Sequence, residues 1–366
     1  MNHTLRDDIA EIIATPSYLP CISLLMPFEP KMGLQKELDH KLKTMADQIE
    51  RDLTLNYPPE KVAVVIQKLR QVISGLNYDT HKKSIAIFVS PLIEKIYYLE
   101  LPIEEKIIID ESFEIRDLIY SKKEIHKYLL VVLSAHRIRT FLGNTVHFIR
   151  LTLNVSENIE AYTNDISEKV ANFSDEHKRK EILLDKFLRH ADHGLHWLLQ
   201  SYKLPLFVMG TTKTIGHFKS ISKNLKQVID FIPGNYEEKS EHELQELMQP
   251  YLRDWQQIKY RKLLAQLDDS MSMKRLAVGI EEVWKAATLK RGRLLVVEKN
   301  YVIPAAHSDL PEVIYKREDG DKQPFYIKDA VDDVMEKVLA SGGDVEFVDE
   351  GVLQAYKKIA LIEYYA

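Results

Sequence analysis

The chain has 366 residues, 45% hydrophobic and 29% charged, with a formal charge of −5 and a pI near 6.3. This balance excludes an unfolded polyelectrolyte and argues against sequence-independent coating of nucleic acid, and the length calls for two or three domains. No apolar run is long enough to span a bilayer, the first residues lack a secretory pattern, and the lone Cys21 forbids an internal disulfide. These features lead us to expect a cytoplasmic protein that contacts neither membrane nor DNA, with Cys21 as a small buried hydrophobe.

Residues 1–122 form the first block. Cys21 to Met26 is a strand by composition. Leu34, Leu38, Leu42, Met45, Ile49 and Leu53 recur every three or four residues, which predicts an amphipathic helix. Pro58-Pro59 opens a second helix, and strands are expected at 84–89, 95–99 and 107–109.

The second block, 123–268, begins with three runs rich in branched and aromatic residues, Tyr128–Ser134, Arg137–Leu142 and Val146–Leu151. Short turns separate them, so they read as an antiparallel meander. A polar segment of about twenty residues follows. Then comes a helix striped by Leu184, Phe187, Leu188, Ala191, Leu195, Leu198, Leu199 and Tyr202, and a buried-type strand over 204–210. Meander, helix and strand suggest a ribonuclease-H-like layout. No Asp or Glu lies between Tyr128 and Leu151 to hold metal ions, which disfavours a two-metal nuclease. A long helix containing Pro250 is expected over 240–268.

The third block, 269–366, alternates helix and strand and predicts an α/β/α sandwich. Residues 305–328 look polar and loop-like. Asp329 caps a helix closed by Gly342-Gly343, and strands at 344–348 and 359–364 end the chain.

Two groups of residues stand out. His190, His193 and His196 fan across the helix face opposite the apolar stripe. The outer two are about 120° apart by ideal geometry, so this helix alone cannot close them on one ion. Trp197 lies on the same outward side, which marks His190, His193 and Trp197 as a candidate interdomain or partner face. The second group is basic: His177, Lys178, Arg179 and Lys180 at the helix entry, and Lys213, Lys219 and Lys223 in a stretch free of acids from 201 to 229. These are the candidate nucleic-acid contacts, against the plainer reading of solvated charge. The segment Val208 to Thr214 has too few glycines for a nucleotide loop and reads as a strand-to-helix turn. No metal site, cofactor site or catalytic constellation is identified.

The order of these pieces resembles the bacterial homologues of the archaeal and eukaryotic class-one peptide-chain release factors, the superfamily that includes Pelota. The resemblance rests on Cys21–Pro27 with Ser84–Val89, then on Leu130–Val132, Arg137–Leu142, Leu184–Tyr202, Leu204–Gly210 and Gly234-Asn-Tyr236. It continues through Val278–Ala287, Leu294–Glu298 and Val334–Tyr364. It implies three domains, an α/β chain shaped like tRNA, and work at the ribosome or on tRNA. By analogy, it also implies a translational GTPase on the third domain. Active release factors of this kind carry a Gly-Gly-Gln loop between meander and long helix. Here Asn154 to Ser174 contains no Gly and no Gln and is acidic until Lys169. No catalytic residue carries over, and the expectation is a non-hydrolytic, ribosome-associated factor. Two alternatives stay open: a peptidyl-tRNA hydrolase with an unrecognised catalytic group, and a scaffold that keeps the fold without the ribosome.

Overall fold

The structure is a computed structural model that describes residue 12 and residues 19–29, 35–80, 82–124, 127–144, 148–152, 155–165, 176–316 and 326–365. For 124, 163–165, 176–179 and 326 it describes the backbone alone. The protein is mixed α/β. Its internal contacts divide it into two units, Met1–Glu124 with Tyr260–Ala366, and Ile125–Lys259.

The first unit opens with an antiparallel sheet, order β3-β2-β1-β4, made from β1 (Cys21–Pro27), β2 (Ser84–Val89), β3 (Glu94–Leu99) and β4 (Lys106–Asp110). Helices α1 (Gln35–Asn56) and α2 (Pro59–Ser74) bury their stripes, Leu42, Met45, Ile49 and Leu53 with Val65 and Leu69, against Ile22, Leu24, Ile85 and Ile87. Each such side chain contributes about 1.5–3 kcal/mol. The opposite face, Leu25, Ala86 and Phe88, joins Phe113 and α3 (Arg116–Glu124). Its core is continuous with that of residues 277–361.

In this unit's later part, β10 (Leu276–Val278), β11 (Gly292–Glu298), β15 (Asp344–Val348) and β16 (Ile359–Glu363) form a second sheet, order β10-β16-β11-β15. Helices α7 (Ile280–Thr288) and α8 (Ala330–Ala340) pack Val283, Trp284, Val334 and Val338 into one side. Tyr260 and Leu267 join Val296, Val348 and Ala360 in a separate cluster. The span expected to be a loop holds three short strands, β12 (Ala305–His307), β13 (Ile314–Lys316) and β14 (Tyr326–Ile327), paired as β13-β12-β14. Strands of two or three residues are too short for a period-two pattern to emerge.

The second unit is built on one five-stranded sheet, order β7-β6-β5-β8-β9. The strands β5 (Tyr128–Leu133), β6 (Ile138–Gly143) and β7 (Phe148–Leu151) form an antiparallel meander. β8 (Leu206–Gly210) and β9 (Val228–Pro233) extend it in parallel beside β5. A side chain on Gly143 would meet the Tyr128 ring at 2.3 Å, so the close approach at the end of β6 needs glycine. Helix α4 (Glu176–Tyr202) covers one sheet face with Phe187, Leu188, Ala191, Leu195 and Leu199, beside α5 (Thr212–Ile221). The start of α6 (Glu241–Ser272) covers the other with Leu244 and Met248. Pro250 lies inside α6.

Candidate nucleic-acid interface

β8 ends at Gly210, where a side chain would meet the Leu133 carbonyl at 2.7 Å. Thr211 then caps α5: its hydroxyl accepts from the Thr214 amide at 3.2 Å and lies 2.8 Å from the Thr214 hydroxyl. The threonines close their own turn, so this strand-to-helix junction is a helix cap. Lys213 emerges from the first turn and is exposed. Lys219 is also exposed, and its ammonium stands 4.1 Å from the centroid of the Phe231 ring.

α4 lies against α5 with its outer side in solvent. Along the helix, Arg189, His190, His193, His196, Trp197 and Gln200 are all exposed, and ideal geometry places them within a band about 120° wide. The histidines are held by separate partners. His190 stacks on Tyr162 at 4.9 Å, His193 meets the Trp197 ring edge-on at 6.2 Å, and His196 Nδ1 lies 3.1 Å from Asn224 Oδ1. Trp197 is 62% exposed. Of the basic helix entry, Lys180 is exposed, and the side chains of His177, Lys178 and Arg179 lie outside the described residues.

One residue that the sequence reading passed over organises this face. Asp192 is buried on α4, and the loop after α5 is fastened to it. Its carboxylate accepts from the Ser222 hydroxyl at 2.5 Å, the Lys223 amide at 3.0 Å and the Asn224 side-chain amide at 2.9 Å. Asn224 also donates to the Asp192 carbonyl at 3.0 Å. These neutral donors satisfy the buried charge. They also fix the backbone of Lys223, whose side chain is exposed, beside His196. The signal was present in the sequence. Between Lys186 and Ile229 the chain carries Lys186, Arg189, Lys203, Lys213, Lys219, Lys223 and Lys226, and Asp192 is the sole acid. A lone acid in a basic run is a candidate for a structural anchor, and here it is one.

The segment after the meander is partly described, and its first part folds down. Ile138 donates to the Glu157 carbonyl and Ile159 to the His136 carbonyl, at 2.8 and 2.9 Å. Arg150 pairs with Glu157, and Ile159 and Tyr162, in a 3-10 turn over Ile159–Asp165, enter the α4 core. Residues 166–174 lie outside the described residues.

A small cavity of about 70 Å³ lies in the first unit, lined by Asp110, Glu114, Asp329, Asp332 and Asp333 among others. Its carboxylates suit no anion. Among the described residues, no group of His, Cys, Asp or Glu side chains is arranged to hold a metal ion. Nor is any helix there long and apolar enough to cross a membrane.

Residues 127–291 match the family model of bacterial archaeo-eukaryotic release factor family 3. Over that stretch the chain is similar to that release-factor family. The match includes the five-stranded sheet, α4, α5 and the Asp192 anchor. No curated protein matches the chain. Among solved structures, an archaeal translation termination factor, aRF1, is 13% identical, with 100% of this chain and 99% of that chain covered and a TM-score of 0.26. Ribosome-bound archaeal Pelota is 11% identical over 98% and 94% of the two chains, with a TM-score of 0.44. Dom34 of S. cerevisiae is 15% identical over 77% and 80%, at 0.39. Identities and scores this low transfer no residue role and no partner.

Proposed function

We propose that this protein is a ribosome- or tRNA-associated translation factor that binds RNA through the α4–α5 face and does not hydrolyse peptidyl-tRNA. One observation carries the reading: the sole acid between Lys186 and Ile229 is buried and bonded, so the exposed charge of that stretch is entirely cationic. Such a stretch attracts phosphate even on a chain of net charge −5, and the acid of α4 just before it, Asp185, faces His217 of α5 at 3.2 Å. The β7-β6-β5-β8-β9 order supports reading the sheet as ribonuclease-H-like, with Ser134 rather than an acid ending β5 and its hydroxyl donating to Glu237 at 2.9 Å. The absence of Gly and Gln from Asn154 to Ser174 supports a factor without the release-factor hydrolytic loop. The three-domain arrangement and a translational GTPase on the third domain belong to the same proposal.

Co-sedimentation with ribosomes across a salt series tests it. The wild-type chain should pellet with ribosomes at low salt. Reversing Lys213, Lys219 and Lys223 to Glu should weaken binding and flatten its salt slope. Reversing Lys178, Arg179 and Lys180 tests the helix entry in the same way. Failure of the wild type to pellet at low salt overturns the ribosomal reading in favour of a scaffold. Turnover of peptidyl-tRNA above buffer would restore the hydrolase.

A further inference from the structure

We propose that Trp197 is a stacking platform for an unpaired RNA base, with the neighbouring cations holding the flanking phosphates. The inference rests on the RNA-contact reading of the α4–α5 face and adds the class of RNA and the residue that recognises it.

An exposed indole on a helix needs an explanation, because burial of so large an apolar surface is strongly favoured. Trp197 is 62% exposed, and it meets two rings edge-on, His193 at 6.2 Å and 79° and His196 at 6.4 Å and 74°. A protein-binding hot spot is normally ringed by further apolar side chains. From Arg189 to Gln200, the other exposed residues of α4 are Arg189, His190, His193, His196 and Gln200, all polar. Exposed apolar side chains lie further off, at Ile182 a few turns up α4 and at Leu225 beyond Lys223, and an aromatic ring set among histidines and Arg189 is the composition of a single-strand nucleic-acid site, where a base stacks and basic groups follow the backbone.

Two features pre-arrange the site. The imidazoles of His193 and His196 both meet the indole edge-on. The Asp192 anchor fixes the turn bearing Lys223, and Asn224 of that turn contacts His196, itself beside Trp197. A cation is thereby held one residue from a group that touches the ring's neighbour. Bases inside an A-form duplex are stacked on each other and offer no free face, so the ligand is single-stranded.

Binding of a fluorescein-labelled, mixed-sequence RNA of about ten nucleotides tests the site, with the same RNA annealed to its complement as control. Anisotropy of the full chain should show single-strand binding tighter than duplex binding. W197A should weaken single-strand binding on the order of tenfold to a hundredfold, while W197F keeps most of it. The salt slope should be unchanged in W197A and reduced by about one in K223E, because one variant removes a stack and the other a phosphate contact. Trp197 is exposed, so W197A should fold, which circular dichroism checks. If the wild type binds salt-dependently and W197A binds equally well, stacking is overturned and the basic face stands. If neither RNA binds at low salt, the RNA reading of the face fails with it. If neither RNA binds yet W197A abolishes ribosome co-sedimentation, the indole belongs to a protein contact and the proposal is overturned.

Discussion

Two buried carboxylates, one in each unit, fasten a second element to a helix, and they do so by opposite means. Asp192 on α4 is met by neutral donors, a hydroxyl, a backbone amide and a side-chain amide. Asp332 on α8 accepts from the Ile115 and Arg116 amides at the start of α3, at 3.1 and 2.7 Å, within a crowd of charge. Arg116 pairs there with Asp329 and donates to the Tyr301 carbonyl at 2.6 Å, while Glu114 stands 3.9 Å from its Nε. Burial first, then Glu114 and Asp329, pushes Asp332 well above the usual carboxylate range. Burial and then Asp329 pushes Glu114 up to about 7, with Arg116 opposing. The neutral clasp anchors a turn without adding exposed charge beside a cationic face. The charged one makes its interface depend on a single arginine and on pH.

Removing that arginine is the harshest way to break the contrast. Arg116→Ala leaves Asp329 buried without its cation. It should lower unfolding free energy by about 3–5 kcal/mol in a denaturant titration. A loss below about 1 kcal/mol would mean that the crowd holds together without it. Asp192→Ala strips a hydroxyl and two amides of their acceptor at once. It should cost about 2–4 kcal/mol. It should also weaken RNA binding by freeing the Lys223 turn, whereas Lys223→Ala should weaken binding at almost no cost in stability.

Acidity separates the two sites next. The native state holds the Glu114 proton more tightly than the unfolded chain does. Its contribution to stability is therefore full below the ordinary carboxylate range and is lost as pH rises through about 7. Glu114→Gln should flatten the melting temperature against pH between about 5 and 7.5, and a slope equal to the wild type's would rule this out. The smallest effect is expected at the surface. Lys219→Ala forfeits a contact over Phe231 worth about 0.5–1 kcal/mol, readable only in a careful thermal comparison.

The long apolar elements were legible in the sequence because their periods were. The stripe through Leu42, Met45, Ile49 and Leu53 and the runs at 84–89, 128–133 and 206–210 are buried as their spacing requires. The three strands between Ala305 and Ile327 were not, being too short to carry a period. The docked turn at Ile159–Asp165 escaped for a related reason: two buried side chains, Ile159 and Tyr162, suffice to pin it. At the candidate site, the basic groups and the outward Trp197 could be read one by one. That Asp192 joins α4 to the turn at Lys223 could not, because thirty residues and two elements separate them.

Helix α6 runs unbroken from Glu241 to Ser272, placing Leu244 and Met248 in the core of one unit and Tyr260 and Leu267 in that of the other. A cut between Lys259 and Tyr260 would fall mid-helix. It would strand up to four carbonyls on one side and four amides on the other. Fragments intended to isolate the second unit are therefore expected to behave better when they carry α6 to its natural end at Ser272 than when they stop where the contacts divide.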